Sequence, residues 1–278
     1  MVEAERIAAT IAQGVHGRRR VGSGESFWQF RRHRAEDPAS AIDWRQSAKS
    51  QHYFVRENEW EAAESVWIWR DASPSMDYRS DFAPVRKVER ATVLALALAS
   101  LLIRAGERIA LMGEPNPPAG GRVALRRIAH HLTAHLSTQG DLPPAANLPR
   151  HAKAVLLSDL LAPADELAAR VAAMGAKGIS GHMIQILDPS EEDLPFEGRT
   201  RFEGIKERQV LTIGRVENLR AAYKDRLAAH RDTLSNACRR QGWTFSIHRT
   251  DRPANLALLA IYTALGVKHH ALQPGIGD

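Results

Sequence analysis

From Ser65 onward the chain alternates short apolar runs with long stretches of helical periodicity. Five runs read as strands, each short, apolar or β-branched, and bounded by polar or glycine positions: Ser65–Trp69, Arg108–Met112, Ala154–Leu157, His182–Leu187 and Thr244–His248. Helices fill the intervals. The strongest covers Pro84–Arg104, where Val85, Val88, Ala91, Leu94, Leu98, Leu101 and Leu102 recur at helical spacing while Arg86, Lys87, Glu89 and Arg90 decorate the first turns. Arg126–Leu136, Ala164–Ala173, Arg215–Arg240 and Asn255–Leu265 follow the same logic, and Arg215–Arg240 aligns Leu219, Tyr223, Leu227, Leu234 and Cys238 on one stripe. Strict β-α alternation with right-handed crossovers predicts an α/β fold, a doubly wound, mostly parallel sheet flanked by helices. Gly113–Gly121 and Asp188–Gly198 read as connecting loops.

The texture before residue 62 is different. Trp28, Trp44, Trp60, Trp67 and Trp69 crowd into the first seventy residues, and glycine, arginine and aromatic residues there show no long apolar period. The expected division is an irregular N-terminal accessory segment (1–62), a sheet domain (63–270) and a flexible C-terminal tail (271–278). In the accessory segment Trp44 and Trp60 are expected to bury large area, and Arg32, Asp37, Asp43 and Arg45 to pair with one another or to form a docking edge.

Composition narrows the setting. Cys238 is the single cysteine, which excludes an intrachain disulfide and any cysteine-built zinc or iron–sulfur centre, and favours a reducing, cytoplasmic location. The longest apolar run, Ala91–Ile103, falls short of the roughly 20 residues of a membrane span. Glu3, Glu5 and Arg6 lack the basic-then-apolar layout of a secretory signal. Thirty-eight Lys and Arg against 32 Asp and Glu give a net charge of +6. The densest basic stretches, Arg18 to Arg20 and Arg31 to Arg34, are interleaved with Glu25, Glu36, Asp37 and Asp43, so a solvated or internally paired face outranks nucleic-acid binding.

In open parallel sheets ligands sit beyond the carboxyl ends of the strands, where the winding reverses. Two loops qualify: Asp71-Ala72-Ser73-Pro74-Ser75-Met76 after the first strand, and Leu156-Leu157-Ser158-Asp159-Leu160 at the end of the third. Ser73 and Ser75 as direct ligands, with Asp71 and Asp159 outside them, offer hard oxygens to Mg2+ or Mn2+. The same residues also serve as ordinary caps and turns. Other signals are weaker. Gly17 to Ser23 has the outer spacing of a phosphate loop without its lysine, and His131 with His135 has no third ligand. No G-x-S-x-G elbow occurs, and a phosphoryl-accepting role for Asp71 meets Ser73 where a second acid belongs.

Asp71, Ser73, Ser75 and Asp159 make the chain resemble the von Willebrand factor type A fold, whose metal-ion-dependent adhesion site is written D-x-S-x-S with a distal Thr and Asp. The Thr departs from the pattern: Gly140 precedes Asp141-Leu142, and Thr138 fills the role only with a shifted loop. Upstream, Phe30 to Asp37, the run Ile42-Asp43-Trp44-Arg45-Gln46-Ser47-Ala48-Lys49, then Val55-Arg56-Glu57 and Glu61, resemble the bacterial domain-of-unknown-function 58 family, with His33 for its usual Tyr and Glu36 for its usual Gly. That resemblance spans about Gly17 to the end and implies a partner, a MoxR-type AAA+ ATPase. Many members of that family carry transmembrane helices ahead of this region, and none reads from this sequence. The expected function is a non-enzymatic protein-interaction module, a soluble adaptor binding through the Mg2+ face. The competing readings are a Mg2+-dependent phosphoryl hydrolase on the same face and a basic nucleic-acid binder.

Overall fold

A computed structural model describes residues 1–15, 26–33, 42–50, 52–59, 65–134, 140–145, 148–204 and 210–271. The chain divides into two compact units, Met1–Arg18 with Glu64–Asp278 and, separately, Arg19–Ala63.

The larger unit is built on five parallel strands: β3 (Ser65–Arg70), β4 (Arg108–Leu111), β5 (Lys153–Ser158), β6 (Ser180–Leu187) and β9 (Thr244–Arg249). Their order across the sheet is β4-β3-β5-β6-β9. The chain steps from β3 to β4 on one side and then crosses back to β5 on the other, so the winding reverses between β3 and β5. All five expected strands are present, with ends displaced by up to two residues.

Side-chain alternation sorts each strand onto two cores. Val66, Ile68, Val155, Leu157, Ile184 and Ile186 face one, with α3 (Lys87–Arg104), α4 (Gly121–Ala134) and α8 (Ala254–Ala271). Trp67, Trp69, Ala154, Leu156 and Met183 face the other, with α5 (Ala164–Gly175) and α7 (Arg220–Arg240). Helix α3 is apolar almost all round: Leu94, Ala95, Ala97, Leu98 and Ala99 are fully buried. Such a helix belongs inside a layered core rather than on its surface. Cys238 lies in the second core, as its position on the α7 stripe predicts. Among the described residues no helix is long and apolar enough to cross a membrane.

Several expectations change. The first residues are not irregular: α1 (Val2–Val15) places Ala4, Ile7, Ala8 and Ile11 at i, i+3, i+4 and i+7 into the α3/α8 core, so it belongs to the sheet unit. The supposed loop after β6 contains a short helix, α6 (Pro189–Asp193), N-capped by Asp188. An antiparallel pair, β7 (Thr200–Glu203) and β8 (Val210–Ile213), follows it.

The smaller unit also has regular structure. β1 (Ser26–Arg32) pairs antiparallel with β2 (Phe54–Glu59), with a bulge between Phe27 and Gln29. A single helical turn, α2 (Trp44–Ser47), starts at Asp43, whose carboxylate accepts the Gln46 N–H at 2.9 Å. Trp44 is 62% exposed and meets Tyr53 edge-on with ring centroids 6.0 Å apart, so it does not bury the area expected of it. A residue in the first turn of so short a helix, on a two-stranded ribbon, has little neighbouring mass to cover an indole.

Candidate functional site

β3 and β5 are adjacent and parallel, with Arg70 opposite Leu157, and the Asp71 N–H extends the ladder to the Leu157 carbonyl at 2.9 Å. That register brings the ends of the two strands level at the switch point. The Asp71 carboxylate is wholly buried. One oxygen accepts the Ser73 N–H at 2.7 Å, and the other accepts the Ser158 hydroxyl at 2.6 Å. The first bond closes a turn that carries Ser73 and Ser75 to the same spot, where their hydroxyls hydrogen-bond to each other with the oxygens 3.0 Å apart. Ser73 is buried and Ser75 is partly open. Burial holds the Asp71 carboxyl above the usual carboxylate range; the bonds from Ser158 and Ser73 pull it down, and the nearby Asp159 charge adds to the rise.

The β5 end is shaped by Leu160, a buried residue with φ of 53°. A left-handed leucine is uncommon and persists only when its surroundings fix it. Here its N–H donates to Ser158 Oγ at 2.9 Å, and its carbonyl accepts from His230 Nε2 at 2.6 Å. The turn leaves Asp159 pointing inward at 1% exposure, with its carbonyl accepting the Gln185 amide at 3.0 Å.

A residue the sequence did not mark as functional completes the cluster. Lys87, assigned above to the outer decoration of its helix, is fully buried. Its ammonium donates to Asp159 Oδ2 at 2.9 Å and to Glu191 Oε1 at 2.5 Å. Burial alone would lower its pKa, but the charges of Asp159 and Glu191 outweigh that and hold it above the ordinary lysine value. A signal was there: Lys87, Ala91, Leu94 and Leu98 share one helical stripe, and the last three are core. Arg90, also taken as decoration, is buried and donates to the Thr250 carbonyl at 3.0 Å.

Asp71, Ser73, Ser75 and Asp159 are therefore gathered at one place. Two ligands at adjacent corners of octahedral Mg2+ lie about 2.9 Å apart, which matches the Ser73–Ser75 hydroxyl spacing of 3.0 Å. Asp71, with one acceptor site used on each oxygen, suits an outer carboxylate. Asp159 suits that role less well, because one of its oxygens is already bound by the Lys87 ammonium. Among the described residues no cluster of three or more His, Cys, Asp or Glu side chains is arranged to hold a metal ion, so an ion here would depend on the hydroxyls. Thr138 lies outside the described residues, as do Asp37, Trp60 and His135. His131 Nδ1 is paired with Glu114. Arg32, Asp43, Trp44 and Arg45 belong to the smaller unit, where Arg32, Trp44 and Arg45 are exposed and Asp43 is a helix cap.

An uncharacterized protein of Mycobacterium bovis is 26% identical over 246 residues, covering 83% of this chain and 76% of that protein, and a Mycobacterium tuberculosis counterpart matches equally. Among solved structures, an aerotolerance-related membrane protein from Bacteroides fragilis overlaps 74% of this chain and all of that one, at 16% identity and a TM-score of 0.47. The conserved hypothetical protein BatB from Bacteroides thetaiotaomicron overlaps 75% of this chain and all of its own, at 15% identity and a TM-score of 0.46. Residues 29–233 match the family described as protein of unknown function DUF58, a span that runs from the β1–β2 unit through both loops of the site into α7, and the chain belongs to that family.

Proposed function

We propose that this chain is a von Willebrand factor type A-like interaction module that engages a protein partner through the β3/β5 strand ends in a Mg2+- or Mn2+-dependent manner. The observation that carries this reading is the pair of Ser73 and Ser75 hydroxyls, converged at 3.0 Å beside a buried Asp71 at the switch point of the sheet. Ser73 and Ser75 would hold the ion, with Asp71 and, less strongly, Asp159 balancing its charge. A hard divalent ion so sparsely ligated supplies an open coordination position for an acidic side chain. Exposed Phe82 and Leu161, on the loops that follow β3 and β5, give a partner apolar surface on the same two loops.

Hydrolysis is the weaker reading on this geometry. A phosphoryl-accepting carboxylate must reach its substrate, whereas Asp71 is fully buried with both oxygens hydrogen-bonded. A cavity of about 210 Å³ lies elsewhere, lined by Pro144, Leu148, Arg170, Met174, Lys177 and Ile179. The family resemblance supports a MoxR-type AAA+ ATPase as the partner.

Calorimetry with Mn2+ and Mg2+ tests the first half: heat is expected from the wild type and not from Ser73→Ala or Asp71→Ala, and its absence in the wild type ends the metal claim. A pull-down of the MoxR-type ATPase encoded nearest to this gene tests the second. Capture that EDTA abolishes is expected. Capture indifferent to EDTA removes the metal bridge, and no capture with Mg2+ and nucleotide removes the partner.

A further inference from the structure

The metal face already contains a cation. Lys87 Nζ lies 2.9 Å from Asp159 and 2.5 Å from Glu191, with its side chain wholly enclosed. It also sits 5.8 Å from the centroid of the Tyr78 ring, and the Lys87 backbone N–H donates to the Tyr78 carbonyl at 3.1 Å. The elements around it are fixed in turn. Asp188, at the start of α6, accepts the Ser80 N–H at 2.9 Å, the Ser80 hydroxyl at 2.5 Å and the Ser190 N–H at 2.9 Å. Glu192 pairs with Arg231 at 2.7 Å, and Asp193 with Arg249 at 2.9 Å. The ammonium cannot leave without stranding two carboxylates, so it is a permanent part of the face.

A unit charge in contact with Asp159 cancels most of that carboxylate's attraction for a second cation. Asp71, whose oxygens accept from Ser73 and Ser158, is then the carboxylate of the site that Lys87 does not bind, beside the two neutral serine ligands. On the metal-dependent reading above, on which this inference rests, we propose that Lys87 sets the ion affinity of the face. It withdraws Asp159 from the ion, holds the free protein's affinity below what an unpaired Asp159 would give, and so makes tight occupancy depend on a carboxylate brought by the partner. Linkage makes the effect reciprocal: the ion strengthens the partner by the factor by which the partner strengthens the ion. The ligand class this selects is an acidic side chain presented on a surface.

The test is Mn2+ titration, by calorimetry and electron paramagnetic resonance, of the wild type and of Lys87→Met/Glu191→Gln and Lys87→Gln/Glu191→Gln. Each double change removes the ammonium without stranding Glu191. Thermal melts identify which of them folds, and that one is titrated. Binding about tenfold or more tighter than wild type is expected, and it should disappear when Asp71→Asn is added. Equal affinity in the wild type and the folded double variant overturns the role of Lys87 while leaving the metal reading intact. No binding in either overturns the metal reading, and this inference with it.

Discussion

Two buried polar clusters in the same sheet have opposite characters. Near the start of β6, His182 is 2% exposed, with Nδ1 2.7 Å from Thr244 Oγ1 and Nε2 2.8 Å from Ser246 Oγ, both on neighbouring β9. Burial pushes its pKa down to about 4, so it is neutral at pH 7 with both ring nitrogens satisfied. At the far ends of β3 and β5, by contrast, the ionisable side chains of Asp71, Asp159 and Lys87 are buried and that of Glu191 partly so, and the serine hydroxyls converge on a partly open position. The first cluster is closed by its own strand neighbours and has no capacity left for a ligand. The second keeps charge and spare acceptors because loops, not ladders, supply its partners. Buried polarity within a ladder is structure here; buried polarity at the strand ends is the candidate site.

The sharpest way to break that contrast is to remove the charge at its centre. Lys87→Ala should cost about 3–5 kcal/mol in urea unfolding, because Asp159 and Glu191 are left without their shared cation. A loss below about 1 kcal/mol would mean the ammonium contributes no more than an exposed pair. The pH direction follows from the raised folded pKa: this contribution is fully present below the unfolded value of 10.5 and is lost as pH rises through the folded one.

The closed cluster should respond at the opposite end of the pH scale. The folded pKa of His182 is depressed from 6.5 to about 4, so the unfolded chain binds the proton more tightly. Stability is full above pH 6.5 and falls by about 3 kcal/mol as pH drops to 4. His248, held down to about 4 mainly by burial and also by the Arg90 charge, acts in the same window. His182→Gln should therefore remove about half of the acid slope; an unchanged slope would show that His182 is not buried neutral.

How much of this could be read from the sequence differs between the two clusters. Strands β3, β5 and β6 and helix α3 were legible because strands covered on both faces are continuous apolar runs and α3 is apolar around its whole circumference. Asp71, Ser73, Ser75 and Asp159 were legible because their rule is positional: strand end, switch point, oxygen side chains. Lys87 was not, since a cation in a first turn usually faces solvent, and its partner Glu191 lies 104 residues away. Helix α1 escaped because alanines and flanking charges weaken its stripe of Ala4, Ile7, Ala8 and Ile11. The four residues of β8 are mostly exposed and carry no alternation.

Asp71→Asn probes the functional side of the contrast with a smaller and opposite effect. The raised carboxyl pKa means that ionised Asp71 costs the fold stability at neutral pH. An amide keeps the shape, accepts the Ser73 N–H and donates to Ser158 Oγ, while shedding the buried charge. A gain of about 0.5–2 kcal/mol at pH 7 is expected, fading as pH falls toward 3.8, together with loss of the proposed Mn2+ binding. Destabilisation at pH 7 would show that the carboxylate is structural and would remove the trade-off expected of a binding residue.

The smallest effect belongs to the β1–β2 unit. Trp44 is 62% exposed, and its edge-on contact with Tyr53 is the ring packing it makes among the described residues. Trp44→Ala should therefore change stability by no more than about 0.5 kcal/mol, whereas Trp69→Ala, at 1% exposure in the second core, should cost about 3–5 kcal/mol. The same two variants sort core from docking surface. An indole that contributes almost nothing to folding yet weakens partner capture when removed would make this unit a docking surface in its own right. Loss of stability comparable to the Trp69 variant would instead make Trp44 part of a core.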